Sequence, residues 1–433
     1  MKASTKRVLF YIVFFALILA PVVAMLVEWQ NRNILINVSV LLGALGLALA
    51  GTQLSQIGKL FFMAVVLDMD AVYRVHHKLS LVSIGLVLVH PLILIVTSMV
   101  MRPIWGWTVV AGWIGLAGLV LIGVTSVARL KLKLSYTLWL VLHDLFTLVI
   151  LIFGMIHLFK VDYYMSRPLF KWVWIIEIAI WVVIALWIRL IHPLLVASKP
   201  YEVEAVVAES RDTYSLNLKP KGHKGFKFEA GQIAWISVAK SPFIISRNPF
   251  SISGSAEAPE GKLRFSIKAV GDFTKKIPAL KPGDRVVVDG PYGAFNTNLP
   301  ITQKGMVLLA GGIGLAPMMS VLNTLADRGD KRPVYLFYGD LCEDTALYQQ
   351  EFASLEKRMN LEFVQVLEKP QRADCPCKGY ITKDLMASIL PENYKELFYF
   401  MCGPKPMLAA MDRNLAALEV PASQIKVERY DMA

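Results

Sequence analysis

Six apolar runs, near residues 8–27, 34–55, 76–99, 107–128, 137–159 and 169–191, fill the first part of the chain. Each is close to the length at which a helix crosses a hydrocarbon core of about 30 Å. After residue 200 the period changes. EVEAVVAES, SLNLKP, IAWISVAK, PFSISG, KLRFSIKAV and RVVVDG are short β-rich runs separated by Gly, Pro and Asn turns. They predict a small antiparallel barrel. From residue 300 the runs MVLLAGG, VYLFYGD, LEFVQVLE and LFYFMCG read as strands. PMMSVLNTLADRG, TALYQQEFASLEKR and ITKDLMASIL lie between them and read as helices. That alternation predicts a doubly wound parallel α/β domain. The expected fold is a multi-domain membrane protein: a six-helix transmembrane bundle over 1–195, an antiparallel β-barrel over 196–299 and an α/β domain over 300–433.

Charge orients the spans. Lys2, Lys6, Arg7, Lys59, Arg74, Lys78, Arg129, Lys131, Lys133, Arg189 and Lys199 flank one side; Arg32, Arg102, Lys160, Arg167 and Lys171 flank the other. The excess of basic residues places both termini and everything after the sixth span in the cytoplasm. The first apolar run is long and more spans follow, so we read it as an uncleaved span, not a signal peptide. The net charge of +12 is spread along the chain, and no basic run alternates with aromatics, which argues against a nucleic-acid partner. All four cysteines fall in the last hundred residues, which fits a reducing compartment better than a disulfide framework. Cys375-Pro376-Cys377 reads as a loop turn, His223 as an exposed loop residue, and Trp105, Trp107 and Trp113 as interface anchors.

Two spans carry paired histidines. His76 and His90 are fourteen residues apart, as are His143 and His157. Fourteen helical steps return to within about 40° of the same direction and rise roughly 21 Å. Each span therefore presents two histidines on one face, one near either membrane surface. His77 is turned roughly 140° from His90 and points elsewhere. Both spans run from inside to outside, so His76 pairs with His143 near the cytoplasmic face and His90 with His157 near the outer face. Ionisable residues within spans are rare and usually functional. Two opposed imidazoles suit haem iron; without cysteine or carboxylate support they make a poor zinc set. Asp144 points about 100° from His143 and carries little weight as a ligand.

In the soluble half, LLAGGIGLAPMMSVL runs from a strand through Gly311, Gly312 and Gly314 into a helix beginning at about Ala316 or Pro317. Such a turn lets backbone approach a pyrophosphate at a helix N-terminus. SRNPFSISGS, IKAVGDFT, GPYGAF, AGGIGLAP and MCGPKPM follow one another in that order. The ordered series resembles the ferredoxin–NADP reductase type of flavoprotein. With the histidine-bearing spans, nearly the whole chain resembles the NADPH oxidase and ferric reductase superfamily.

The resemblance implies roles. Phe250 lies against the flavin ring, and Ser251 bonds near its N5. Asn248 stands where the family often has histidine or arginine for phosphate, with Arg247 as the substitute; Pro249 and Ser253 belong to the same stretch. Lys268, Gly271 and Thr274 flank the flavin and its pyrophosphate. Gly311, Gly312, Gly314 and Pro317 hold the pyridine nucleotide, and Cys402, Gly403 and Pro404 sit near the nicotinamide. Phe250, Ser251 and Cys402 are the expected catalytic residues; His76, His90, His143 and His157 are the expected metal ligands. Two features depart from the family. The chain after Tyr338-Gly339 is acidic, with Asp340, Glu343 and Asp344, where NADPH-using relatives often carry a basic residue. An acidic group there accepts from a ribose 2′-OH and repels a 2′-phosphate; Lys331 or Arg332 are the basic residues nearest in sequence before it. The C-terminus offers Tyr430 or Met432 where many relatives end in an aromatic that covers the flavin.

The function implied is transmembrane electron transfer: cytosolic NADH or NADPH to FAD, then to two b-type haems, then to an outer acceptor. Oxygen, giving superoxide, is the expected acceptor, with a ferric chelate as the alternative and a non-catalytic haem sensor as the reading from another class. The expected partners are the bilayer, NAD(P)H and the acceptor, with no protein partner required. The expected location is the plasma membrane.

Overall fold

The computed structural model describes residues 3–29, 33–57, 69–97, 106–238, 243, 248–293, 297, 300–371 and 377–429. Arg247, Trp105, Cys375, Pro376, Tyr430 and Met432 lie outside the described residues. The chain divides into two compact units between Ile191 and His192.

The first unit is helical: α1 (Ala3–Val27), α2 (Ile34–Ile57), α3 (Met69–Val96), α4 (Trp107–Val127), α5 (Tyr136–Lys160) and α6 (Pro168–Leu186). All six are long and apolar enough to cross a membrane. The third is helical from Met69, the first residue described there, so the helix includes MDAVYRV ahead of its apolar run. The sixth ends sooner, at Leu186, and passes into a π-helical turn at Trp187–Ile191. Arg189 of that turn pairs with Asp144, which accounts for this carboxylate without a ligand role.

Small residues let the helices approach closely. A Cβ at Gly46 of α2 would lie 2.5 Å from Cγ2 of Val87 on α3, and one at Gly51 would lie 2.2 Å from the Trp181 ring on α6. On α4, Gly115 and Gly118 face Gly154 and Val149 of α5. Glu28 caps α6, accepting from the Leu169 and Phe170 amides at 3.0 Å each, where a carboxylate suits the helix dipole. Val8, Ile12, Val141, Leu148 and Val183 point outward and are exposed, as are Trp107 and Trp113.

The second unit opens with α7 (His192–Ala197), followed by β1 (Tyr201–Ala208), β2 (Thr213–Pro220), β3 (Ile233–Ser237), β4 (Asn248–Ser251), β5 (Leu263–Lys268) and β6 (Arg285–Tyr292). These make one antiparallel sheet in the order β4-β3-β6-β1-β2-β5. Tyr201, Leu216, Leu218, Ile236 and Phe265 fill its core. Just past β4, Ile252 bridges to Phe265 of β5. His223 is not a free loop side chain. It is half-buried, its Nδ1 accepts from the Gly225 amide at 3.0 Å, and its Nε2 donates to the Pro200 carbonyl at 2.8 Å.

Next come β7 (Met306–Gly311), α8 (Leu315–Asp327), β8 (Val334–Asp340), α9 (Gln349–Arg358), β9 (Leu361–Leu367), α10 (Lys383–Ile389), β10 (Phe398–Cys402), α11 (Lys405–Ala417) and β11 (Ile425–Glu428). The five strands are parallel, in the order β11-β10-β7-β8-β9. Successive residues of β7 serve opposite faces, as strand geometry requires: Met306 and Leu308 pack with α8, and Val307 and Leu309 pack with α11. β11 and α11 extend the fold beyond the strands and helices read from the sequence. TALYQQEFASLEKR is not one helix. Glu343–Thr345 form a 3-10 turn, Tyr348 is left-handed at φ 55°, and α9 starts only at Gln349.

Candidate functional site

In the helical unit the four histidines form two pairs. The rings of His76 and His143 have centres 6.3 Å apart, and those of His90 and His157 have centres 6.1 Å apart. His77 is exposed. Metal–imidazole bonds of about 2.0–2.1 Å on either side of one ion would leave ring centres roughly 6 Å apart, so each gap fits a single metal between two imidazoles.

The neighbours set the tautomers. His90 Nδ1 donates to the Ser39 carbonyl at 2.9 Å, and His157 Nδ1 donates to the Thr108 carbonyl at 2.8 Å. A proton held at Nδ1 leaves the Nε2 lone pair as the ligand, the usual arrangement for metal-bound histidine. His76 Nδ1 faces Gln53 Oε1 at 3.1 Å, and His143 Nδ1 lies 3.4 Å from Ser126 Oγ. The Nε2 of Gln53 is buried without a partner among the described residues. Glycines make room for the outer rings: a Cβ at Gly43 would meet His90 at 3.0 Å, and one at Gly112 would meet Nδ1 of His157 at 2.8 Å. The sequence reading missed Ser39, Gly43, Gln53, Thr108 and Gly112, because each sits on a different helix from the histidine it serves. No group of three or more His, Cys, Asp and Glu gathers among the described residues, whereas tetrahedral zinc takes three or four protein ligands.

In the second unit the expected residues collect at two places. β4 carries Asn248, Pro249, Phe250 and Ser251 opposite Ile236, Trp235, Ala234 and Ile233 of β3. Phe250 is half-buried and stacks on Phe273, ring centres 5.9 Å apart; Phe273 was not singled out from sequence. Ser251 is buried. Thr274 closes its own turn, accepting from the Gly271 amide at 2.8 Å. Lys268 Nζ lies 3.3 Å from Asp212 Oδ2. Ser253 departs from its expected place among the cofactor contacts. It is fully buried, and its hydroxyl donates to the Arg264 carbonyl at 3.2 Å.

The other group lies at the carboxyl ends of the parallel strands, where β7 separates β8 from β10. Open α/β sheets bind ligands in such a crevice, where the strand order reverses. Gly312, just after β7, has φ +52°, and among the described residues nothing lies within 4 Å of where a Cβ would be. Gly311 and Gly314 do something else. A Cβ on Gly314 would lie 2.2 Å from the Cys402 carbonyl, and one on Gly311 would lie 2.2 Å from Sδ of Met407. They let the β7 turn press against the turn after β10, which holds Gly403 and Pro404. Pro317 sits in the first turn of α8, and both it and the Cys402 side chain are buried.

Asp340 ends β8. Its carboxylate accepts from Tyr338 Oη at 2.5 Å, Thr345 Oγ1 at 2.5 Å and the Leu341 amide at 2.7 Å. Burial pushes the Tyr338 phenol well above its ordinary range, with the Asp340 charge adding to it, so Tyr338 stays a donor. Glu343 and Asp344 accept from Gln371. Arg332 is committed elsewhere, donating to Asp330 and to the Thr297 and Thr302 carbonyls.

Residues 198–296 match the model of an FAD-binding domain, and residues 308–413 match that of an oxidoreductase NAD-binding domain. The second half of the chain thus holds an FAD-binding and an NAD-binding domain in tandem. The NADH-cytochrome b5 reductase 1 of Candida glabrata is 34% identical over 36% of this chain and 55% of its own length. The propane 2-monooxygenase reductase component of Mycolicibacterium goodii is 27% identical over 53% of this chain and 66% of its own. The chain thus spans between half and two thirds of these relatives. Among solved structures, the flavohem-like FAD/NAD-binding domain of nitric oxide dioxygenase from Vibrio cholerae aligns over 54% of this chain and 98% of that one, at 21% identity and a TM-score of 0.48. The β4 strand lies within the FAD-binding match, and the crevice after β7 lies within the NAD-binding match.

Proposed function

We propose that the protein carries electrons from NAD(P)H, through FAD and two b-type haems, across the plasma membrane to an acceptor on the far side. The observation that carries this reading is the pair of histidine couples, at 6.3 and 6.1 Å, in a chain that also holds a reductase module. Nicotinamide gives two electrons at once and haem takes one, and a bound flavin supplies the conversion.

His76 and His143 would hold the inner haem, and His90 and His157 the outer one. Their Nδ1 hydrogen bonds orient the rings and make Nε2 more basic. The apolar outward faces of α1 to α6 suit a bilayer, and the basic flanks put the reductase module in the cytoplasm. The antiparallel sheet, with its Ile252–Phe265 bridge, is read as a barrel. There Phe250 and Ser251 would meet the flavin ring, with Arg247, Asn248, Lys268, Gly271 and Thr274 nearby. Gly312 opens the backbone to the pyridine nucleotide's phosphates, and Asp340 takes its ribose.

The acceptor is read as dioxygen, giving superoxide. Of the two acidic residues in the outer loops, Glu28 is committed to capping α6 and is not offered to iron. Aerobic NAD(P)H oxidation that drives dismutase-sensitive reduction of cytochrome c is the expected result. Oxidation that needs a ferric chelate, with no dismutase-sensitive signal, would instead make it a ferric reductase.

A further inference from the structure

A chain of hydrogen bonds ties the flavin motif to the loop that begins at Asp340. At one end, Ser253 of the PFSISGS stretch donates to the Arg264 carbonyl. Ser266 donates to Ser253 at 2.8 Å. A hydroxyl has one proton, so the bond between Ser266 and Tyr348 is donated by Tyr348. The next residue back, Leu347, donates its amide to Tyr338 Oη at 3.2 Å, and Tyr338 donates to Asp340.

The link is held tightly. Tyr348 is buried, and its backbone is left-handed at φ 55°, a region that bulky residues rarely enter. Its ring lies under the Arg264 guanidinium, 5.2 Å from the ring centre. Arg264 forks onto Glu351 at 2.5 and 3.2 Å, and also reaches the Ser253 carbonyl at 3.2 Å. Local backbone strain persists only where its surroundings over-determine it, and it clusters at functional segments. Here the strained residue joins β5, and through Ser266 the stretch just past β4, to the acidic loop, and α9 starts only after it.

We propose that Tyr348 is a positioning residue for nucleotide selection. It holds the Asp340–Thr345 loop in fixed register with β5 and, through Ser266 and Ser253, with the end of the flavin motif. The inference deepens the reading of Asp340 as the ribose-binding carboxylate and rests on it.

The test uses the purified full chain with flavin bound, and the variants Tyr348→Phe and Ser266→Ala. Tyr348→Phe removes one hydrogen bond and keeps the ring under Arg264; Ser266→Ala removes that bond together with those to Ser253 and Ser215. NAD⁺ and NADP⁺ binding are measured by calorimetry, and flavin reduction by NADH in a stopped-flow instrument. Each variant should bind NAD⁺ about fivefold more weakly, the scale of one buried hydrogen bond. NADP⁺ affinity should change less, so that the preference narrows, and the limiting rate of flavin reduction should fall. The double variant should be no worse than Ser266→Ala alone, because that change already breaks the Tyr348 link. Variants that melt at a lower temperature but keep the wild-type affinity ratio and flavin-reduction rate would overturn the proposal. A wild type that reduces its flavin with NADH yet prefers NADP⁺ would overturn the Asp340 reading, and this inference with it.

Discussion

Gly112 faces His157 so closely that a Cβ on it would lie 2.8 Å from the ring's Nδ1. That nitrogen already donates to the Thr108 carbonyl at 2.8 Å, so the ring cannot turn aside without losing the bond. Gly112→Ala should therefore displace His157 and give a perturbed outer haem, seen as loss of part of the six-coordinate, low-spin absorbance. His90→Leu should remove the outer haem entirely and leave flavin reduction by NAD(P)H intact. His77→Leu should keep both haems. A wild-type spectrum in His90→Leu would rule out the assignment of the outer pair.

Phe250 stacks on Phe273 at 5.9 Å and would present its other face to the flavin ring. Aromatic pairs contribute about 0.5–1.5 kcal/mol beyond area burial. Phe250→Ala should weaken FAD binding by roughly fivefold to tenfold in a flavin-fluorescence titration. Unchanged affinity would mean that Phe250 serves only the β4 packing.

Much of this was legible from periodicity. The histidine couples could be read because a fixed spacing on a helix implies a shared face, and the strand runs because alternation implies a buried side. What was hidden depends on partners distant in sequence. Gly311 and Gly314 look like phosphate-turn glycines, yet they are needed to fit Met407 and Cys402. Ser253 looks like part of a cofactor motif, yet it is bonded into the core with Ser266 and Arg264. Leu-Tyr-Gln at 347–349 has ordinary helix-forming residues, and the contacts that accompany the late helix start, to Tyr338, Arg264 and Ser266, are all distant in sequence.

We read nucleotide choice from Asp340; Arg332, one of the two basic residues named before it, is tied to Asp330. Like charges at about 4 Å repel by about 1 kcal/mol even in water, so NADH should be used at least as well as NADPH. Asp340→Arg should shift preference towards NADPH. Asp340→Asn should shift it less, because it keeps an acceptor for Thr345 and Leu341. A kcat/KM for NADPH ten-fold above that for NADH in the wild type would refute this reading.

The Asp330–Arg332 pair should show in the acid stability of the protein. The bond from Arg332 holds the Asp330 carboxyl below its ordinary range. The unfolded chain, with a carboxyl near pKa 3.9, then binds more protons than the folded one between the two values. Stability from this group is fully present above the unfolded value and is lost as pH falls through the folded one. Arg332→Gln should flatten that part of the Tm-against-pH curve. An unchanged acid slope would contradict the pairing.

The central claim is that one chain passes electrons from a pyridine nucleotide to two histidine-held haems. Anaerobic addition of NADH to the purified protein, followed by absorbance, tests it most directly. The account predicts two b-type haems per chain, low-spin and six-coordinate, reduced after the flavin bleaches. A protein that bleaches its flavin but holds no haem, or holds haem that NADH never reduces, would contradict it.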